Sequence, residues 1–229
     1  MGHIIVAHVG MKQLNKLIKH DLVRGLKDVT FEKDKLCSAC QAKKQVGNTH
    51  PKNSMMSTSK AFELLHMDLF GPTTYTSIGG NKYGFVIMDD FTRYTWMFFL
   101  VDKSDVFATF KTFIKRIHNE FKTTIKKVRS DNESEFKNTR VDDLCDEFGI
   151  RHQFLAKYTP QSNGLVERKN RTLTNMARSM LSEYNVSHLF WAKVINMACY
   201  YSNRLYCHPL KEKTPYEILN DRKPNIAYF

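Results

Sequence analysis

The sequence predicts an α/β protein: a five-stranded mixed sheet flanked by helices, preceded by a small helical module. Three observations predict it. Between residues 62 and 101, three short runs dense in aromatic and β-branched residues are separated by turn signals. From Ser104 onward the apolar spacing alternates between helical and strand-like periods. Ahead of both lies a stretch poor in large apolar side chains that nevertheless carries paired histidines and cysteines.

That first stretch, residues 1–45, forms the leading module. His3 and His8 have four residues between them, Cys37 and Cys40 have two, and twenty-eight separate the pairs. Two imidazoles and two thiolates complete a tetrahedral zinc shell with no open position, which makes a structural site. So short a segment needs such a staple to fold. The plainer alternative is two stray histidines beside a loose start. Residues 46–60 are rich in Ser, Thr, Asn and Lys and read as a linker. Residues 61–224 then form the main domain, well within the size of one core.

Phe62–Leu69, Tyr83–Asp89 and Tyr94–Val101 are the first three strands, joined by a Gly79-Gly80-Asn81 turn and a short Asp90-to-Arg93 connection. Short links make them antiparallel, and near-continuous apolar character says that both faces are covered. Ser104 reads as the N-cap of a helix burying Val106, Phe110, Phe113, Ile114, Ile117 and Phe121. Ile125–Arg129 is the fourth strand. A helix with Val141, Leu144, Cys145 and Phe148 inward follows, stopped by Gly149. Ile150–Leu155 is the fifth strand. The next helix buries Leu173, Met176, Ala177, Met180, Leu181 and Tyr184, and presents Glu167, Asn170, Arg171, Thr174 and Arg178 on its other side. Residues 188–207 form a further helix, and Thr214-Pro215-Tyr216-Glu217 opens a last one as a capping box. Three antiparallel strands followed by helix–strand–helix–strand–helix is the order of the ribonuclease-H-like fold.

Charge narrows the function. The chain carries 35 Lys and Arg against 23 Asp and Glu, a formal net charge of +12. The excess is in the flanks: 11 basic against 4 acidic residues over 1–60 and 10 against 5 over 161–229, while 61–160 holds 14 of each. Basic flanks around an acid-containing centre suit a protein that grips a polyanion at its sides and holds metal ions at its middle. A solvated lysine surface is the alternative on charge alone. No run of eighteen apolar residues is present, so no membrane span is expected, and nothing at the start has the order of a signal peptide. Five irregularly spaced cysteines argue for a reducing compartment.

Three acids stand out. Asp68 lies within an apolar run, where carboxylates are rare unless paired or bound to metal. Asp131 ends a strand, and Glu167 heads a helix with a basic stripe. Three converging carboxylates can hold two divalent ions roughly 3.5–4 Å apart, a clamp on both oxygens of a phosphodiester displacement. Glu167 has a humbler reading as an i,i+4 partner of Arg171. Asp89 and Asp90 are expected as an exposed cap or surface pair, and Glu133 and Glu135 as non-ligands.

The strings around these acids carry a resemblance. Leu65-His66-Met67-Asp68-Leu69-Phe70-Gly71-Pro72, Tyr83-Gly84-Phe85-Val86-Ile87, Arg129-Ser130-Asp131-Asn132, Thr159-Pro160-Gln161, Asn163-Gly164-Leu165-Val166-Glu167-Arg168-Lys169-Asn170 and Thr214-Pro215-Tyr216-Glu217 resemble the integrase of copia-type LTR retrotransposons, in the DDE superfamily. The resemblance implies Asp68, Asp131 and Glu167 as the catalytic, Mg²⁺- or Mn²⁺-binding triad, and His3, His8, Cys37 and Cys40 as an HHCC zinc site. It implies DNA, both element ends and target, as partner, met by Gln161, Asn163, Arg168, Lys169, Asn170, Arg171 and Arg178. It further implies a homo-oligomer when active, and the nucleus as the place of action. The activity implied is 3′-end processing and strand transfer. The chain departs from the family at Ala7, where glycine usually precedes the second histidine. It departs again at Glu133-Ser134, where two glycines commonly follow the acid-Asn pair. Family members begin earlier and continue beyond Phe229 inside a Pol polyprotein, so a fragment or degraded copy is expected. Two other readings follow: an inactive nucleic-acid-binding remnant, and a ribonuclease-H-type nuclease that lacks the zinc-like head.

Overall fold

The structure, a computed structural model, describes residues 11–25, 58–155 and 164–226. Its elements in chain order are α1 (Met11–Lys19), β1 (Leu65–Phe70), β2 (Tyr83–Asp89), β3 (Thr95–Leu100), α2 (Asp105–Phe121), β4 (Lys127–Ser130), α3 (Thr139–Glu147), β5 (Arg151–Phe154), α4 (Gly164–Glu183), α5 (Trp191–Leu205) and α6 (Pro215–Asn220), with one 3₁₀ turn at His188–Phe190 before α5. They divide into two compact units, Met56–Arg171 and a helical unit of Met1–Met55 with Thr172–Phe229. The helix α4 supplies its first turns to the one and its remainder to the other.

The sheet unit has strand order β3-β2-β1-β4-β5. β1, β2 and β3 pair antiparallel, and β1–β4 and β4–β5 pair parallel, so the mixed five-stranded sheet expected of a ribonuclease-H-like fold is present. Side chains directly opposite in the antiparallel ladder share a face. One face collects Leu65, Met67, Phe85, Ile87, Trp96 and Phe98. It packs beneath α2, with Phe113 edge-on to Trp96 and Phe98 at centroid separations of 5.2 and 5.9 Å, and with Phe136 against Phe85 at 5.9 Å. The two edge-on contacts of Phe113 suit the ring quadrupoles. The other face carries Asp68, Phe70, Val86, Met88 and Met97, on which the start of α4 rests. Phe70 lies opposite Gly84, where any Cβ would meet its ring atoms at 2.2–2.8 Å, so glycine keeps that ring flat on the sheet.

Several expectations shift. β2 is buried on both faces, but β3 is an edge strand buried only at its ends, so the idea of two covered faces fails there. β1 starts at Leu65 because Phe62 turns into the left-handed region at φ 65. That corner is held from outside: the Phe62 amide donates to Asp89 Oδ1 at 2.8 Å, and the Phe62 carbonyl accepts from the Lys126 amide at 3.0 Å. Ser104 does not cap α2 with its side chain. Asp102 and Asp105 do so reciprocally, Asp102 Oδ1 accepting from the Ser104 amide and Asp105 Oδ2 from the Asp102 amide. The Gly149 stop holds, with φ 64 and the Ile150 amide reaching back to the Cys145 carbonyl.

Asp89 and Asp90 are not an exposed pair. They are 0 % and 6 % exposed. Asp89 Oδ2 accepts from the Thr92 amide and hydroxyl, while Asp90 meets His66 Nε2 at 3.1 Å and Arg93 at 3.4 Å and accepts from the Thr58 hydroxyl. Burial alone would raise Asp90, but the His66 and Thr58 hydrogen bonds and the Arg93 charge hold its carboxyl well below the usual range.

In the helical unit, α1 buries Leu14 and Leu17, and α5 buries Trp191, Ile195, Ala198 and Leu205. Gln13 Nε2 donates to the Leu205 carbonyl at 2.9 Å. α6 opens with Thr214 Oγ1 accepting from the Glu217 amide, as its sequence predicts. Leu173, Met176, Ala177, Met180 and Leu181 of α4 are buried as expected, but Tyr184, one residue past the helix end, is exposed. Among the described residues no helix is long and apolar enough to cross a membrane.

Removing the Asp89 carboxylate should orphan the buried Phe62 and Thr92 amides. Asp89→Ala is therefore expected to lose about 3 kcal/mol in urea unfolding, against less than about 0.5 kcal/mol for the exposed Asp143→Ala.

Candidate active site

The site is assembled from two strand ends and one helix start. The parallel register pairs His66 with Arg129. Two residues beyond that pair lie Asp68, still within β1, and Asp131, just past the end of β4, and the Asp131 charge reaches Asp68. α4 is seated by Val166, 0 % exposed, against Val86 and Met88, with Phe70, Met97 and Leu165 packed around it. Asp68 lies directly opposite Val86 on that same face. Glu167 and Asn170 of α4 are thereby delivered to the side of the sheet that carries Asp68.

Asn170 makes the contact. Its Nδ2 donates to Asp68 Oδ2, and the residue is only 8 % exposed. This differs from the uniform polar stripe expected along α4. Asn170 falls four residues after Val166 and three before Leu173, so it lies at the margin of the buried side. The i,i+3 spacing from Glu167 is the signal that links the two in sequence; what they reach is set by the sheet. Its Oδ1 is buried without a hydrogen-bond partner among the described residues.

Electrostatics ties the acids together. Burial first, then the Asp131 carboxylate, push the Asp68 pKa up to about 7; Glu167 adds to the rise and the Asn170 hydrogen bond opposes it. Asp131 is also raised, mainly by burial, with the Glu133 and Glu135 carboxylates reinforcing and the Glu133 amide opposing. Ser130 Oγ, behind it, donates to the Asp131 carbonyl and lies 2.9 Å from His152 Nε2. Neither Glu133 nor Ser134 takes a positive φ. The loop therefore does not need the glycines it lacks.

The donor set suits a hard divalent cation. It offers carboxylate oxygens, and their mutual repulsion is what a dication relieves. The arrangement stops short of a finished coordination shell: among the described residues no three His, Cys, Asp or Glu side chains stand close enough to share one ion. Of the expected DNA contacts, Arg168, Arg171 and Arg178 are exposed on α4 and Lys169 is half-buried, with Arg168 Nε donating to the Gly164 carbonyl. Gln161 and Asn163 lie outside the described residues, as do His3, His8, Cys37 and Cys40.

Comparison with known proteins bears on the family and the fold. Residues 58–160 match the integrase core domain and residues 2–45 the GAG-pre-integrase domain. The whole chain is similar, at 31% identity, to the retrovirus-related Pol polyprotein from transposon TNT 1-94 of Nicotiana tabacum, and spans 17% of its length. Over 82% of the chain it is 32% identical to the corresponding polyprotein from transposon RE1 of Arabidopsis thaliana, spanning 13% of that protein. Among solved structures, a simian T-cell lymphotropic virus intasome chain superposes with a TM-score of 0.61 at 17% identity, covering 82% of this chain and 64% of that one. The HTLV-2 integrase catalytic core domain in complex with magnesium gives 0.53 at 19% identity, covering 69% and 97%. At such identities the likeness shows the fold. The chain belongs to the integrase region of copia-type retrotransposon Pol polyproteins.

Proposed function

We propose that the chain is a metal-dependent polynucleotidyl transferase that trims the 3′ ends of a retroelement DNA and joins them to target DNA. The observation that supports this reading best is the parallel pairing of β1 with β4, two residues short of Asp68 and Asp131, beside the seated start of α4. Two Mg²⁺ (or Mn²⁺) ions held by Asp68, Asp131 and Glu167 would supply positive charge at the attacking and leaving oxygens, so no covalent enzyme intermediate is needed. Asn170 fixes the rotamer of Asp68 through its amide. Asp68, with its raised pKa, surrenders its proton as the site charges. The exposed Arg168, Arg171 and Arg178 and the half-buried Lys169 meet backbone phosphates, and Gln161 and Asn163 the strand end.

The match of residues 2–45 to the GAG-pre-integrase domain favours this over a ribonuclease H. The relaxed backbone at Glu133 and Ser134 removes one argument for an inactive remnant. Within residues 1–45, His3, His8, Cys37 and Cys40 supply the donor set of a closed structural zinc site, ahead of a linker at 46–60 and a core at 61–224. Action on chromosomal DNA implies the nucleus, and paired end joining implies a homo-oligomer.

Asp131→Asn and Glu167→Gln should each cut joining of an element-end oligonucleotide to plasmid by at least about 10³-fold while circular dichroism and DNA affinity hold. Undiminished joining by either variant would reject the triad. Cys37→Ser should lower zinc content, measured by atomic emission, from one ion per chain to a trace; equal content in both proteins would sink the zinc assignment.

The raised Asp68 pKa has a signed consequence. Between the unfolded value near 3.8 and the folded value of about 7, the native state binds the extra proton. Its contribution is thus complete below pH 4 and is lost as pH rises through 7. Without added Mg²⁺, wild type should lose roughly 4 kcal/mol more than Asp68→Asn between those limits. Added Mg²⁺ should restore the difference at the upper end. Parallel pH profiles for the two proteins in chemical denaturation would contradict the coupling.

A further inference from the structure

The helical unit holds a second constellation. A cavity of about 320 Å³ is lined by Arg24, Arg204, Arg222, Lys223, Tyr200 and Tyr216, and no carboxylate lines it. Lys223 is paired with Asp21 at 2.9 Å. Among the described residues, the guanidiniums of Arg24, Arg204 and Arg222 form no ion pair. Three like charges around one hollow repel one another, and an anion is the ligand that reverses the sign of that energy.

The hollow is also shaped in advance. The Arg204 guanidinium lies over the Tyr200 ring at 3.5 Å and over the Tyr216 ring at 4.4 Å, and Nη1 donates to the Tyr200 carbonyl. Stacking occupies the faces of the planar cation and leaves its remaining in-plane N–H groups for oxygen acceptors. Arg222 Nε donates to the Tyr216 hydroxyl at 3.0 Å. Arg24 is held by backbone pairing, its amide donating to the Pro224 carbonyl and its carbonyl accepting from the Ile226 amide. The ordering cost of two long side chains is thus met before any ligand arrives.

We propose that this cavity is a phosphate site in which Arg24, Arg204 and Arg222 bind either a backbone phosphodiester of a nucleic-acid strand or the phosphate of a free nucleotide. Arginine forks match phosphate oxygens two at a time, and the volume takes one nucleotide-sized group. Only the expectation that the phosphate belongs to DNA rests on the integrase reading; the anion chemistry stands without it.

The test uses the full chain without added Mg²⁺, so that binding is read apart from catalysis, with joining in Mg²⁺ assayed in parallel. Arg24→Gln and Arg222→Gln are exposed positions, and Lys193→Gln is the control for an exposed cation elsewhere in the unit. A fluorescein-labelled single strand should bind each arginine variant roughly threefold to tenfold more weakly. The double variant should flatten the plot of log K against log salt by about two. Calorimetric binding of a nucleoside monophosphate that disappears in the variants assigns the cavity to free nucleotide. Loss confined to the strand assigns it to the backbone. Unchanged affinity and slope in both arms, or an equal loss in Lys193→Gln, overturns the proposal. Loss of joining by the triad variants with the pocket results unchanged would separate the two sites.

Discussion

Val166 buries its side chain against Val86 and Met88, and from that contact the layout of the sheet's polar face follows. A buried valine is worth about 1.5–3 kcal/mol, enough to hold the first turns of a helix whose neighbouring residues Glu167 and Arg168 are exposed. Because a helix repeats every 3.6 residues, fixing Val166 fixes Asn170 beneath it, and β1 presents Asp68 to that amide. Apolar packing thus aims the polar groups. The carboxylates do not attract one another; Asp131 and Glu167 both raise the energy of a charged Asp68, and the fold keeps them within reach in spite of it.

The same sheet treats its acids in opposite ways. Asp90 is surrounded by His66, Arg93 and Thr58 and is held in its charged form, tying the β2–β3 connection to β1. Asp68, a short way along the neighbouring strand, is given the Asn170 and Leu69 amides but no cation, and two like charges. Buried acids that serve the fold are neutralised by permanent partners. A buried acid left short of positive charge stores a preference for a cation.

Much of this was legible in the sequence. The strand and helix order followed from periodicity and turn residues, and the buried side of α4 from Leu173 to Leu181 was readable from spacing alone. Less was legible where two segments meet. Asp89 looked like a surface cap because its amide donors, from Phe62 and Thr92, include one twenty-seven residues away. Phe62 read as strand because nothing local announces a left-handed aromatic residue. Asn170 read as part of the polar stripe because its burial depends on Val166 meeting a strand eighty residues upstream. In each case composition supplied the residue and long-range pairing supplied its partner.

Gly84 carries no charge and touches no substrate in any reading offered above, yet it lies across from Phe70, whose ring helps floor the seat of Val166. A methyl group at that position would tilt the ring, and the tilt would travel through the helix seat to the acids. A side chain at this one bare backbone position, two residues along β2 from the partner of Asp68, would therefore disturb the acids while every polar group stays intact.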